Sequence, residues 1–213
     1  MAPKRSVSSF DLMTLTIEPK PKVSGGDKKK LKQLIRRADV LAIGKDAKLH
    51  HTIGVAEEEH TAFETADKLF VVFSPNGEME IRTSDFDESK ARTVDKLIEQ
   101  YISIVTKELR RKITYEGRAM LHLITKNKKL KNLLKVGLQS AVSPYLKEKL
   151  GEKIRVVTLT AILETNLAIN FIMPNDIDFF SRIEIPTGAR SKNVIGESFV
   201  KSFEWLNRVS KEA

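Results

Sequence analysis

Two groups of lysine and arginine residues are the strongest candidates for a functional site in this sequence. Residues 28–37 contain six basic side chains and residues 110–135 contain nine. Ammonium and guanidinium groups bind phosphates and other anions. The sequence therefore predicts an anionic-surface binding site made of Lys28, Lys29, Lys30, Lys32, Arg36, Arg37, Arg110, Arg111, Lys112, Arg118, Lys126, Lys128, Lys129, Lys131 and Lys135. The second group is expected to form one continuous positive patch, and a solvated face that only aids solubility is the alternative for both groups.

Candidates for catalysis or metal binding are weaker. His50, His51 and His60 lie near an acidic run at 57–59, but their spacing matches no common metal site. Asp176 and Asp178 would share one face of a strand, yet a turn explains Asp176, because Asn and Asp favour turns. The chain contains no Cys, and it shows no glycine-rich, nucleophile-elbow or His-Glu-x-x-His motif. We expect no enzyme activity, no metal and no cofactor.

Charge is sorted into segments along the chain. Residues 1–50 carry a net charge of +7, residues 51–100 carry −7, residues 101–150 carry +9, and the rest is balanced. Hydrophobic residues make up 41% of the 213, enough to build a core without disulfides. No apolar run approaches the roughly 20 residues of a membrane-spanning helix, and the N-terminus lacks the apolar region of a secretory signal. We therefore expect a protein that is not secreted and whose membrane contact is peripheral.

The first 26 residues predict a flexible basic arm, because Ser, Pro and Gly are frequent there. Within this arm, residues 10–17 are apolar at alternate positions. One interpretation is a strand that docks on the edge of the domain. The other is a short linear motif in which Phe10, Leu12, Leu15 and Ile17 mediate self-association with a neighbouring copy.

Residues 27–213 predict a single α+β domain with a β-hairpin, central helices and a C-terminal antiparallel β-meander. Asp27 is expected to cap a basic helix over 28–38, and a strand is possible at 40–43. The Pro75-Asn76-Gly77 turn predicts a hairpin between strands at 69–73 and 79–83. No internal repeat is visible. Further helices are predicted at 88–109, 118–124, 130–138, 144–150 and 198–208, and further strands at 154–163, 167–173 and 178–185.

The region from about residue 67 to residue 125 resembles the matrix proteins of rhabdoviruses. Glu80-Ile81-Arg82-Thr83-Ser84-Asp85-Phe86 precedes the long predicted helix, as a similar stretch does in that family. The run from Ile113 to Leu121 is similar to the basic and aromatic segment that follows, although the expected proline is missing. The arm also lacks the Pro-rich late-domain motif, which fits a plant-infecting member better than an animal virus.

The resemblance implies a virion structural protein. Such a protein binds the ribonucleocapsid RNA and the inner membrane surface, self-associates, and resides in the virion, at the host membrane or in the host nucleus or cytoplasm. The sorted charges are compatible with self-assembly, since the acidic stretch at 51–100 could meet the basic middle of another copy. The alternative is a basic nucleic-acid-binding protein without a membrane role, and the helix at 28–37 also has the composition of a nuclear localisation signal.

Overall fold

An antiparallel sheet of nine strands, with three helices packed against one of its faces, makes up the described part of the chain, and the expected α+β class is confirmed. The computed structural model describes residues 9–37, 48–55, 58–124, 128–129, 131–132, 148–149, 158–162, 167–172, 176–185 and 194–212. The strands are β1 (Phe10–Lys20), β2 (Lys48–Val55), β3 (Glu58–Glu64), β4 (Phe70–Phe73), β5 (Met79–Phe86), β6 (Thr114–Ile124), β7 (Thr158–Ile162), β8 (Leu167–Ile172) and β9 (Asp176–Ile185). The helices are α1 (Gly25–Arg36), α2 (Glu88–Leu109) and α3 (Val194–Glu212). The strand order is β2-β3-β4-β5-β1-β6-β9-β8-β7.

The segment predicted as part of a flexible arm is the central strand of the sheet. β1 pairs with β5 on one side and with β6 on the other, so the arm prediction is wrong for residues 10–20, and the edge-strand interpretation is wrong as well. The alternating apolar residues place one complete side of β1 in the core. Pro19 is tolerated because it lies beyond Ile17, the last residue of β1 that pairs with β5.

Most of the other predicted elements are present. The hairpin forms from β4 and β5, and Asp87 caps α2 by accepting a hydrogen bond from the Lys90 N–H at 2.9 Å. Asp27 lies in the first turn of α1, but the N-cap residue is Ser24. The helix predicted over 118–124 is wrong, because these residues form β6, whose side chains alternate between buried and exposed positions. The predicted strand at 40–43 lies outside the described residues, as does most of the predicted helices at 130–138 and 144–150.

The topology contains two similar halves, which corrects the expectation that the chain has no repeat; β2 has no counterpart among the described residues. The first half runs β1-α1-β2-β3-β4-β5-α2, and the second runs β6-helical residues-β7-β8-β9-α3. Reading outward from the central β1–β6 pair, β5, β4 and β3 on one side match β9, β8 and β7 on the other. Each half ends in a helix that packs on its own preceding strand, and α2 also packs against α3. An approximate two-fold axis therefore passes through the β1–β6 ladder.

A buried carboxylate joins the two halves. Asp95 on α2 is 4% exposed, and its two carboxylate oxygens accept hydrogen bonds from the backbone N–H groups of Ile195 (3.1 Å) and Gly196 (3.2 Å) at the start of α3. These N–H groups have no partner within their own helix, so Asp95 acts as a tertiary cap. Burial raises the pKa of Asp95 although the two backbone hydrogen bonds oppose the shift.

Asp95→Ala is expected to destabilise the protein by about 1–3 kcal/mol, because it leaves the buried Ile195 N–H and the part-buried Gly196 N–H without a hydrogen-bond partner. Asp95→Asn keeps an acceptor oxygen and should cost less.

A raised folded-state pKa means that the wild type loses stability as pH rises from the unfolded-state pKa through the folded-state pKa. The stability of the Asn variant relative to wild type should therefore increase over that range. Urea unfolding at several pH values measures both effects, and a relative stability that falls with pH would contradict them.

Candidate functional site

The structure brings together two basic segments that lie more than seventy residues apart in the chain. Asp27 in the first turn of α1 accepts hydrogen bonds from Arg111 Nε at 2.9 Å and Nη2 at 2.6 Å. Arg37, which follows the last residue of α1, donates from Nη2 to Glu108 Oε2 at 2.6 Å. Both ends of α1 are thus attached to the C-terminal end of α2. The attachment comes from polar contacts across the two helices and was not evident from either segment alone.

These contacts create a positively charged area that we call the α1–α2 basic surface. It consists of Lys28, Lys29, Lys30, Lys32, Arg36, Arg37, Arg110, Arg111 and Lys112. Lys28 is half-buried and the other eight are exposed. The two acidic residues that join the helices, Asp27 and Glu108, leave the surface strongly positive. Cations at the end of α2 are also favoured by the negative end of the helix dipole.

The remaining predicted anion-binding residues do not extend this surface, so the prediction of one continuous patch over 110–135 is wrong. Arg118 is exposed on the face of β6 that points away from the helices. β6, which has 11 residues and is therefore roughly 36 Å long, lies between the end of α2 and Lys128. Lys128 and Lys129 are exposed and Lys131 is half-buried, and all three are helical. Lys126 and Lys135 lie outside the described residues.

The sheet face opposite the helices is a second candidate surface. In the described part of the chain none of the three helices covers it, and it carries a cavity of about 410 Å³ lined in part by His60, Phe70 and Val72. Its charges alternate in sign. Glu80 accepts a 2.6 Å hydrogen bond from Arg82 Nε, which raises the pKa of Arg82. Lys20 likewise forms an ion pair with Glu116. On β1, β5 and β6, Glu18, Glu80 and Glu116 thus balance Lys20, Arg82 and Arg118, so this part of the face has no excess of positive charge to attract a polyanion.

The proposed self-association residues belong mainly to the core. Phe10, Leu15 and Ile17 are completely buried, whereas Leu12 is 39% exposed. The first three cannot dock on a second copy while β1 stays in the sheet, so their assignment to self-association is corrected.

The weaker catalytic and metal candidates form no site in the described residues. No group of three His, Asp or Glu side chains there is close enough to hold a metal ion. In the ladders, Ile53 is the residue opposite His60, while Asp176 and Asp178 pair with Ile124 and His122.

Comparison with known proteins identifies no family. No family model and no curated protein matches the chain. Among the helices of the described part, none is long and apolar enough to cross a membrane. Among solved structures, the chain is similar to Methanococcus jannaschii TBP, with a TM-score of 0.33 and 10% identity over 96% of this chain and 98% of that chain.

Proposed function

We propose that the protein is a non-enzymatic nucleic-acid-binding protein whose α1–α2 basic surface contacts the phosphate backbone. The observation that carries the proposal is the joining of α1 to the end of α2 through Arg111–Asp27 and Arg37–Glu108, which brings the basic residues of α1 next to residues 110–112. A dense group of Lys and Arg binds nucleic acid mainly by releasing condensed counterions, so binding is expected to be sensitive to salt and tolerant of sequence.

The dimensions of the surface favour an extended anion. α1 has 12 residues and is therefore about 18 Å long. A DNA duplex presents one phosphate charge per ~1.7 Å of its axis, so roughly ten phosphates lie along that length. An isolated phosphate would engage only a small part of the same surface. The spread of basic side chains over α1 and residues 110–112 therefore matches a polymer better than a small molecule.

The burial of α1 favours nucleic acid over a membrane. The apolar side of α1, formed by Leu31, Leu34 and Ile35, is only 2–4% exposed, because it packs against the rest of the core. A helix that inserts into the lipid interface needs that side free. Of the large hydrophobic residues whose burial the structure describes, the exposed ones are Leu12, Ile124 and Val200, which lie outside α1. Lipid binding by this surface would have to rely on charge alone.

The matrix-type assembly hypothesis receives less support from the geometry. Its docking segment is part of the core, and several acidic residues of the 51–100 stretch have ion-pair partners within the chain. Glu64, Glu80 and Glu88 lie 3.4, 2.6 and 2.6 Å from Lys68, Arg82 and Arg92. Both partners of each pair belong to this stretch, so its net charge of −7 is unchanged and its contact with the basic middle of another copy stays a prediction. Self-association through Phe10, Leu15 and Ile17, by contrast, would require β1 to leave the sheet.

The variant K29E/K32E is expected to reduce affinity for duplex DNA on the order of tenfold to a hundredfold at about 50 mM salt. Both lysines are exposed on α1, so the fold should be unaffected. The slope of log K against log salt should become shallower by about 1.8, because each phosphate that the protein no longer neutralises reduces it by about 0.9. Fluorescence anisotropy with labelled duplex DNA and single-stranded RNA measures both quantities.

K96E/K201E is the matched control, because it makes the same charge change at exposed positions on α2 and α3 that lie outside the basic surface. It should lower affinity far less. K112E tests whether the end of α2 belongs to the same surface, and it should weaken binding in the same direction as K29E/K32E. Equal losses for K29E/K32E and K96E/K201E would mean that only net charge matters. Binding to anionic vesicles, with none to nucleic acid, would overturn the proposal in favour of a membrane partner.

A further inference from the structure

The two halves of the fold share a basic sequence element as well as a topology. Residues 29–36 read Lys-Lys-Leu-Lys-Gln-Leu-Ile-Arg, and residues 128–135 read Lys-Lys-Leu-Lys-Asn-Leu-Leu-Lys. Five of the eight positions are identical and the other three are conservative. The same spacing of 99 residues relates the Pro75-Asn76 turn between β4 and β5 to Pro174-Asn175 between β8 and β9. Two separate elements with one spacing indicate an internal duplication.

The topology places the two basic elements at equivalent positions. The first follows β1 and precedes the outer strands of its half, and the second follows β6 and precedes the outer strands of the other half. The described residues of the second element, 128–129 and 131–132, are helical, as α1 is. Lys128 and Lys129 are exposed, as are their counterparts Lys29 and Lys30.

The central ladder separates the two basic elements. α1 begins beyond the end of the ladder at which Lys20 pairs with Thr114. The chain leaves β6 at the opposite end, where Leu12 pairs with His122, before it reaches Lys128. Eight residue steps along an antiparallel strand cover about 27 Å. The two-fold axis passes through the β1–β6 strand pair and is perpendicular to the sheet. Rotation about such an axis leaves equivalent elements on the same face of the sheet. The packing of α2 against α3 agrees with this arrangement.

We infer that Lys128, Lys129 and Lys131 form a second phosphate-binding surface, equivalent to the one on α1, and that a single nucleic acid duplex binds both. The inference rests on the proposed function and specifies the nucleic acid further, as a duplex long enough to span the central ladder. Once one surface is bound, the second encounters the same duplex at high effective concentration, which increases affinity without new contacts.

The test compares K128E/K131E with K29E/K32E, since these variants change residues 99 positions apart in the two halves. The probes are DNA duplexes of about 8 and 24 base pairs, which are about 27 and 82 Å long. A longer duplex offers more overlapping binding positions, which alone raises the apparent affinity. The wild type should bind the longer duplex at least about tenfold more tightly than this effect predicts. Each double variant should lose that excess, so that its affinity for the longer duplex exceeds its affinity for the short one only by the number of overlapping sites.

Three outcomes separate the inference from the function on which it rests. If K29E/K32E weakens binding and K128E/K131E behaves like the K96E/K201E control, the proposed function stands and the second surface is refuted. If the wild type binds neither duplex, the proposed function itself fails. If the wild type shows only the length dependence expected from overlapping sites, the two surfaces do not bind one duplex. K128Q/K131Q, which removes charge without reversing it, should show the same loss to a smaller extent, and circular dichroism verifies that each variant is folded.

Discussion

Phe10→Ala is expected to lower the free energy of unfolding by about 3–5 kcal/mol, the usual range for removing a buried phenylalanine. Phe10 is completely buried, lies opposite Phe86 in the β1–β5 ladder, and makes an edge-to-face contact with Phe199 of α3 at a centroid distance of 5.5 Å. Its removal therefore leaves a cavity where the central strand meets a helix of the other half. Urea-induced unfolding measures the loss, and an unchanged m-value would show that the unfolding transition is the same.

Leu12→Ala is the matched control for this prediction, because Leu12 lies on the same strand but points to the other face and is 39% exposed. It should cost less than about 1 kcal/mol. A flexible arm would give small effects at both positions, so similar and small losses for the two variants would contradict the placement of β1 in the sheet.

Gly77→Ala is expected to destabilise the protein by about 2–3 kcal/mol, through backbone strain and a steric clash together. Gly77 has a φ of +83°, in the left-handed region. A Cβ atom there would lie 3.1 Å from Leu31 Cδ1 and 3.1 Å from Pro19 Cγ. The Gly77 carbonyl also accepts a hydrogen bond from the hydroxyl of the buried Tyr101, so a shift of the turn disturbs the core beneath it. Thermal and urea unfolding measure the effect.

Gly26→Ala serves as the control, since Gly26 lies in α1 and no atom other than the adjoining chain and backbone of its own helix is within 4 Å of its Cβ position. The substitution should be neutral or stabilising by up to about 1 kcal/mol, because Ala is the better helix former. A Gly77→Ala effect as small as that of Gly26→Ala would mean that the turn tolerates a side chain and that Gly77 has no special role.

The local pattern of the sequence was sufficient to predict the hairpin, α2 and α3. The Pro-Asn-Gly turn and the regular apolar spacing of α2 act over a few residues, so they can be interpreted without knowledge of the fold. β1 was assigned to an arm because the Ser, Pro and Gly around it outweighed its apolar alternation. Whether such a strand lies at an edge or in the centre depends on β6, which is about a hundred residues away.

The candidate site shows the same limit. The charge of residues 28–37 and 110–112 was evident from the sequence, but their proximity depends on Asp27 and Glu108. Asp27 was predicted only as a helix cap, and nothing distinguished Glu108 among the twenty-eight acidic residues. The false continuity of the patch over 110–135 came from treating Arg118–Ile124 as a short helix. As a strand, the same residues keep the two ends of the patch far apart. The similarity of residues 29–36 to residues 128–135, which lie 99 positions further along the chain, was the signal that would have revealed the repeat.

The pairing of β1 with β6 has an implication for how a chain with two similar halves can arise. A half-length ancestor containing β1 to α2 would have left β1 as an exposed edge strand, and two such edges can pair antiparallel about a two-fold axis to form a homodimer. In the present chain only residues 110–113 separate α2 from β6, and they convert that dimer contact into an intramolecular one. Fusion makes the pairing of the halves independent of protein concentration. It also allows the two halves to differ in sequence, as they do at Gly77 and its counterpart Asp176. One chain can thus keep two similar surfaces while each half acquires its own changes.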